Sequence, residues 1–289
     1  VQDPFLDFVE SIASTLVAGS ELPLGEPETG HGSSAAATHH EKTVLVFSPH
    51  PDDECVTGAL PLRIRRETGA RVVNVAVTQG SNRRRRQPRL EELRHACRVL
   101  DFDLIQAKQP DGLEQVNLRC QAEDVSLWQE SVAAISAILR ELRPDLIFLP
   151  HRTDANSTHI GTHYLVMDAL AEVGTDLSCR VVETEFWAPN PTPNLMVESS
   201  TADLATLLRA LVCHVGEVER NPYHLRLPAW MQDNVRRGGE LVGAQGGAPP
   251  DFAFATLYRV RDWTGSEFRE VRPEPRFLGS SDSVASVFP

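Results

Sequence analysis

The sequence predicts an α/β fold. It should have a mainly parallel sheet, helices on both faces and an N-terminal helical extension. Three observations predict it. Short apolar runs alternate with segments whose apolar residues recur at helical spacing, the rhythm of βαβ units. Several runs are apolar at consecutive positions, as in strands buried on both faces. Two of them stop abruptly at polar clusters, where an open parallel sheet presents its ligand edge.

Phe5, Phe8, Val9, Ile12 and Leu16 predict a short amphipathic helix over residues 4–18. The stretch LPLGEPETGHGSSAAATHH has linker composition, so 1–41 is read as helix plus linker. A main domain is expected over 42–262 and a loop-like tail over 263–289. Strands are expected at 43–48, 71–78, 103–107, 145–150 and 180–187, with a late edge strand at 252–260. Helices are expected at 89–100, where Leu90, Leu93, Ala96, Cys97 and Leu100 share one face, and at 125–142, which ends at Arg143-Pro144. Further helices are expected at 159–173, ending at Gly174, at 203–218 and at 230–242. No internal repeat is visible.

The chain has 289 residues, with 28 Lys and Arg against 40 Asp and Glu, a net charge of −12. An acidic chain is a poor general binder of nucleic acid. Its five cysteines form no CxxC pair, which argues against both a disulfide framework and a cysteine zinc site. That pattern suits a reducing, cytoplasmic setting. No apolar run has the length of a membrane span. A homo-oligomer is compatible with the sequence.

The stretch VLVFSPHPDDE carries the strongest chemical signal. A buried strand stops, and His50, Asp52, Asp53 and Glu54 follow at once. Such crowding of carboxylates is costly unless a cation sits among them. His with Asp is a common Zn²⁺ ligand set, and a carboxylate left off the metal can act as a base. The plainer reading is a helix-capping Asp. Capping asks for one Asp, not for His50 and a second Asp as well.

A second cluster, HRTDANSTHIGTHYLV, follows the run at 145–150. It brings His151, Asp154, Asn156, His159 and His163 to another strand end. His159 and His163 are four apart, so they share a helix face, and a third metal ligand is expected there. A lone HxxxH says little. Two neighbouring strand ends dense in ligand-type residues say more.

SPHPDDE resembles the signature of the PIG-L/LmbE-like zinc N-deacetylases, A-H-P-D-D-E after the first strand. The resemblance extends by motif order over about 42–218 and implies a Rossmann-like fold. It implies Zn²⁺, or another divalent metal, on His50, Asp53 and His159, with Asp52 as general base. The implied substrate is an amino-sugar conjugate of the N-acetylglucosamine type, a small molecule whose amide is hydrolysed to acetate and an amine. NSTHIGTH matches the family's H-x-D-H with His159 last. Arg89, in an R-x-x-E motif, and Asp111, in an Asp-Gly loop, would contact substrate, and His214 to Glu217 faintly echoes H-x-S-Q. The chain departs from the pattern at Asn156, where relatives have His, at Thr158, where they have Asp, and at Ser81. Asn156 would then donate to the oxyanion but could not shuttle a proton. His163 is an expected substrate contact.

Two further readings compete: a catalytically impaired, metal-containing carbohydrate-binding protein, and a hydrolase of a different amide. The presence of both Asp52 and Asp53 argues against lost catalysis. The absence of GxGxxG after the first strand disfavours a nucleotide-binding Rossmann enzyme. Arg83 to Arg86 read either as a solvated loop or as a lid for an anionic conjugate. Trp187 before Pro189-Asn190-Pro191 reads as the wall of a sugar pocket or as a rigid loop. Cys55 reads as packing. The N-terminal helix should dock somewhere, but with Asp3, Asp7 and Glu10 and no Lys or Arg it is a poor membrane-surface helix.

Overall fold

The structure, a computed structural model, describes residues 3–26 and 42–288. Residues 27–41 of the segment read as linker lie outside the described residues. Strands β1 (Thr43–Ser48), β2 (Arg71–Ala76), β3 (Asp103–Gln106), β4 (Leu146–Pro150) and β5 (Cys179–Thr184) pair in parallel in the order β3-β2-β1-β4-β5. The sheet then changes direction. β6 (Leu195–Glu198) and β7 (Ala255–Trp263) are added with β7 antiparallel to both β5 and β6. β8 (Phe268–Glu270) pairs β7, and β9 (Phe277–Leu278) pairs β6.

β1 shows why the sheet is covered on both sides. Val44 and Val46 enter one core, while Leu45 and Phe47 enter the other. The first core is closed by α2 (Ala59–Thr68), α3 (Arg86–Leu100) and α7 (Thr201–Leu211). The second is closed by α5 (Val125–Leu142) and α6 (Ser157–Val173), with α4 (Leu118–Glu123) at its margin. The chain runs outward from β1 through β2 to β3, then returns to the far side of β1 as β4. The β1/β4 gap is therefore the point where strand order reverses, and ligand crevices open beyond the carboxyl ends of strands at such a point.

Several elements differ from the sequence-based expectation. The late strand is not at an edge: β7 lies between β5 and β6. The tail expected from 263 contributes β8 and β9, and its Val284, Val287 and Phe288 are buried in the first core. The chain at 203–218 breaks after Leu211, and α8 (Val215–Val218) follows His214. α9 spans Leu227–Leu241. Helix α2 gave no clear apolar stripe because Arg63, Arg65 and Arg66 interrupt it. Arg63 is nevertheless fully buried, donating to Glu67 and to the carbonyls of Gly279 and Asp282.

The amphipathic N-terminal helix is α1 (Pro4–Gly19), capped by Asp3, which accepts from Phe5 N at 3.0 Å. None of its residues is buried; Phe5 is 81 % exposed. Contact with the domain comes at its end and just after it: Gly19 lies close to Leu225, Gly25 N donates to Val212 O, and Arg98 donates to Glu26. No helix among the described residues is long and apolar enough to cross a membrane.

Gly161 lets α6 lie against the chain before α4. A Cβ there would stand 2.4 Å from Val116 O and 2.5 Å from Val116 C. Those are backbone atoms and cannot rotate away. Gly161→Ala should cost about 1–3 kcal/mol and lower the thermal midpoint by roughly 3–10 °C in calorimetry. An unchanged midpoint would contradict this close approach.

Candidate metal centre

The two polar clusters occupy loops at the carboxyl ends of β1 and β4. After β1, Pro49, His50 and Pro51 turn the chain, and Asp53–Cys55 form one 3₁₀ turn. After β4, Asn156 caps α6: its Oδ1 accepts from Thr158 N at 2.8 Å, and its own N donates to Asp154 at 2.9 Å. This cap places His159 in the first turn of α6, facing the β1 loop.

The result is a tight triangle. His50 Nδ1 lies 3.3 Å from His159 Nε2, His159 Nε2 lies 3.2 Å from Asp53 Oδ2, and Asp53 Oδ2 lies 3.4 Å from His50 Nδ1. Ligands placed tetrahedrally at 2.0–2.1 Å around Zn²⁺ would stand about 3.3 Å apart. The three residues form a ligand-competent group. Two buried atoms of this group, Asp53 Oδ1 and His159 Nδ1, have no hydrogen-bond partner. His159 Nδ1 faces Asp154 Oδ1 at 3.7 Å. The donor set and its spacing fit one divalent cation.

Electrostatics separate the two adjacent carboxyls. Burial would raise Asp53, but His159 and His50 outweigh it and hold the group well below the usual carboxylate range. Burial would lower His159, and Asp53 draws it up instead. Asp52 goes the other way. Burial, and then the charge of Asp53, push it up to about 6, against the opposing pull of His214, Arg89 and Tyr223. A carboxylate committed to ionisation thus sits beside one poised to exchange a proton.

Asp52 is held in an unfavourable backbone conformation, φ 119°. Such a residue costs on the order of 1–3 kcal/mol and persists only where its surroundings hold it. Glu54 Oε2 accepts from Asp52 N at 3.0 Å, and Tyr223 Oη donates to Asp52 Oδ2 at 2.7 Å. Arg89 donates to Pro51 O at 2.9 Å and approaches Asp52 Oδ2 at 4.0 Å. Glu54 is itself fixed from behind. Its Oε1 lies 2.6 Å from His214 Nε2 and accepts from Cys55 Sγ at 3.1 Å. Glu54, Cys55 and His214 also form a ligand-competent group. Glu54 Oε1 already pairs with both His214 Nε2 and Cys55 Sγ, and burial raises the Cys55 thiol well above its usual range, so they form a buried support.

A cleft of about 650 Å³ opens onto the triangle, lined by His50, Asp52, Arg89, Glu114, Asn156 and Trp187 among others. The basic run is neither a free solvated loop nor a bare cationic lid. Arg83 and Arg86 both reach Glu114, and Arg85 reaches Glu92 and Glu217. Asp111 stands outside this cleft: it is exposed, 3.9 Å from Arg86, on a separate cavity of about 280 Å³. Glu114 takes the cleft position in that loop. His163 lies outside it as well. Its Nδ1 is 2.9 Å from Pro150 O and 3.7 Å from Glu183, and burial lowers its pKa. Helical spacing put it on the face of His159, but the ring turns under β4. His151 is likewise tied to Thr153 and Ala188 O.

Tyr223 escaped the sequence reading because no motif or spacing links it to Asp52. The contact appears only when the 3₁₀ turn at Tyr223–Leu225 folds over the β1 loop.

Elemental analysis separates ligand from bystander. His50→Ala and His159→Ala should each weaken metal binding by more than the roughly 10–100-fold that loss of a supporting partner brings, whereas His163→Ala should retain the metal. Metal retained in His159→Ala, or lost only in His163→Ala, would contradict the assignment.

The match to known families falls on this region. Residues 45–170 match the model described as "PIG-L: GlcNAc-PI de-N-acetylase". A search of curated proteins finds no match. Among solved structures, the conserved protein TT1542 from Thermus thermophilus is 21% identical, with a TM-score of 0.56 over 74% of this chain and 92% of its own. N,N'-diacetylchitobiose deacetylase from Pyrococcus horikoshii is 16% identical, with a TM-score of 0.56 over 90% of this chain and 93% of its own. GalB, the 4-carboxy-2-hydroxymuconate hydratase from Pseudomonas putida, is 15% identical, with a TM-score of 0.56 over 76% of this chain and 95% of its own. At these identities the likeness shows a shared fold, and a shared fold does not fix a reaction. The match over residues 45–170 takes in the β1 and β4 loops and their ligand triangle, so the likeness to the PIG-L family falls on the part of the chain that builds the site.

Proposed function

We propose that the protein is a metal-dependent N-deacetylase, with zinc as its working ion, acting on an amino-sugar conjugate of the N-acetylglucosamine type. The observation that carries this reading is the pairing of the His50–Asp53–His159 triangle with an unligated Asp52 drawn towards neutrality. A binding protein has no use for that second, strained carboxyl. The matched family description and the chitobiose deacetylase among the neighbours support the reading, as do deacetylases of the teicoplanin pathway. The cleft, about 650 Å³ and largely polar in its lining residues, is of a size suited to a sugar.

A cation on the triangle would supply Lewis acidity and acidify a bound water. The chain's own residues do the rest. Asp53 and His159 stay committed to the cation site. Asp52 accepts the water proton; Tyr223 donates to its Oδ2, which leaves Oδ1 for that proton. Asp52 then returns the proton to the departing amine. Asn156 uses Oδ1 to cap α6, so its amide NH₂ is what it offers the developing oxyanion. Arg89, tied to Pro51 O, keeps the β1 loop in place and presents its remaining donors to the substrate. Acetate and a free amine result.

Asp52→Asn should retain metal and lose about 10²–10⁴-fold in amine release from an N-acetylated sugar. Full activity in this variant would remove Asp52 as the base. Tyr223→Phe should lower kcat by roughly tenfold with little change in KM, the loss expected for one hydrogen bond to a charged group. A rise in KM with kcat unchanged would instead place Tyr223 in substrate binding.

A further inference from the structure

Beside the polar cleft lies a second cavity of about 320 Å³ with a different chemistry. Its walls include Val56, Phe186, Trp187, Tyr223, Leu227 and Trp230. Trp187 also lines the polar cleft and is 39 % exposed. The ring of Trp187 meets that of Tyr223 edge-on at 5.4 Å, so the two together stand between the compartments. Two charged residues also line it: Arg226, which is exposed to solvent, and Glu185, which presents little free charge. It is buried, Arg237 grips both its oxygens at 3.1 and 2.9 Å, and Asn190 N donates to it at 2.7 Å.

The walls are the backs of site residues. Tyr223 bonds Asp52, Phe186 packs edge-on against His159 with ring centroids 5.0 Å apart, and Val56 follows the turn that bears Asp53. Phe186 and Tyr223 therefore close the cavity off from the reacting centre. A group entering it from the cleft passes over the exposed edge of Trp187. An amide acyl group held at the triangle has no direct way in, whereas the outer end of a sugar lying in the cleft has.

We infer that the substrate carries an apolar aglycone, which crosses Trp187 and fills this second cavity. The inference rests on the deacetylase reading for the sugar's place in the polar cleft. It makes the preferred substrate an amphiphile, a polar amino sugar bearing an alkyl or aryl group. The cavity volume reaches the lower end of the range for ligand pockets, enough for a ring or a short chain. Each methylene buried there should tighten binding by roughly three- to fourfold.

The test uses the full chain and two sugars that have no amide, so it does not depend on deacetylation. Methyl and hexyl β-glucosides are titrated against the chain by isothermal calorimetry. The hexyl glucoside should bind about tenfold more tightly or better. Ala229→Trp places a large side chain at the cavity wall, on an exposed position of α9. It should erase that advantage and leave hydrolysis of methyl N-acetylglucosaminide unchanged. Equal binding of the two glucosides, or an advantage that survives Ala229→Trp, overturns the inference. A cavity that instead takes the acyl group would show as preferential hydrolysis of the methyl glycoside of N-hexanoylglucosamine over its N-acetyl counterpart, which also overturns it. Failure to hydrolyse any of these amides would remove the deacetylase reading, while the glucoside titration would still decide what the cavity holds.

Discussion

Asp53 Oδ2 stands between two imidazole nitrogens, and the rest of the site is arranged around that contact. The carboxyl is almost wholly buried, and one of its oxygens has no hydrogen-bond partner. A buried charge of this kind is tolerated only when paired or bound to metal. His50 comes from the loop after β1 and His159 from the helix after β4, so the pairing also fastens two loops across the gap where strand order reverses. The fold supplies the gap, and Asp53 supplies the reason for both histidines to meet in it.

The same turn separates two neighbouring carboxyls by function. Asp53 faces the imidazoles and stays ionised. Asp52 adopts a left-handed backbone that turns it to the cleft, where burial and its neighbour's charge favour the proton. That geometry is strained, and the restraints on it come from distant parts of the chain. Glu54, backed by His214, takes the Asp52 N–H, and Tyr223 takes the side chain. The β1 motif therefore depends on segments outside the matched family region. Helix α8, with His214 before it and the turn bearing Tyr223 after it, serves the site as well as the packing of the sheet.

Much of this was legible in the chain. The parallel strands gave themselves away as apolar runs, and the two ligand clusters as abrupt polar stops; β1 and α5 fall on their expected bounds. The expected metal ligands His50, Asp53 and His159 are the three residues whose donor atoms converge. Other features were hidden for physical reasons. β6 is only four residues long, and α2 hides its helicity behind arginines, one of which is buried on carbonyls of the C-terminal segment. That segment looked like loop because its Pro and Ser content masks short strands that depend on β6 and β7 for pairing. His163 shares the helical face of His159, but spacing cannot tell which way an imidazole turns. Tyr223 and the aromatic cavity arise from tertiary proximity, which no local pattern encodes.

The central claim is that His50 Nδ1, Asp53 Oδ2 and His159 Nε2 share one cation. Anomalous diffraction at the zinc edge, from crystals of the chain grown with zinc, tests it most directly. The account predicts one strong peak lying roughly 2.0–2.2 Å from all three atoms. A peak centred elsewhere, such as on Glu54 and His214, or a fully ordered triangle with no peak in the presence of zinc, would contradict it.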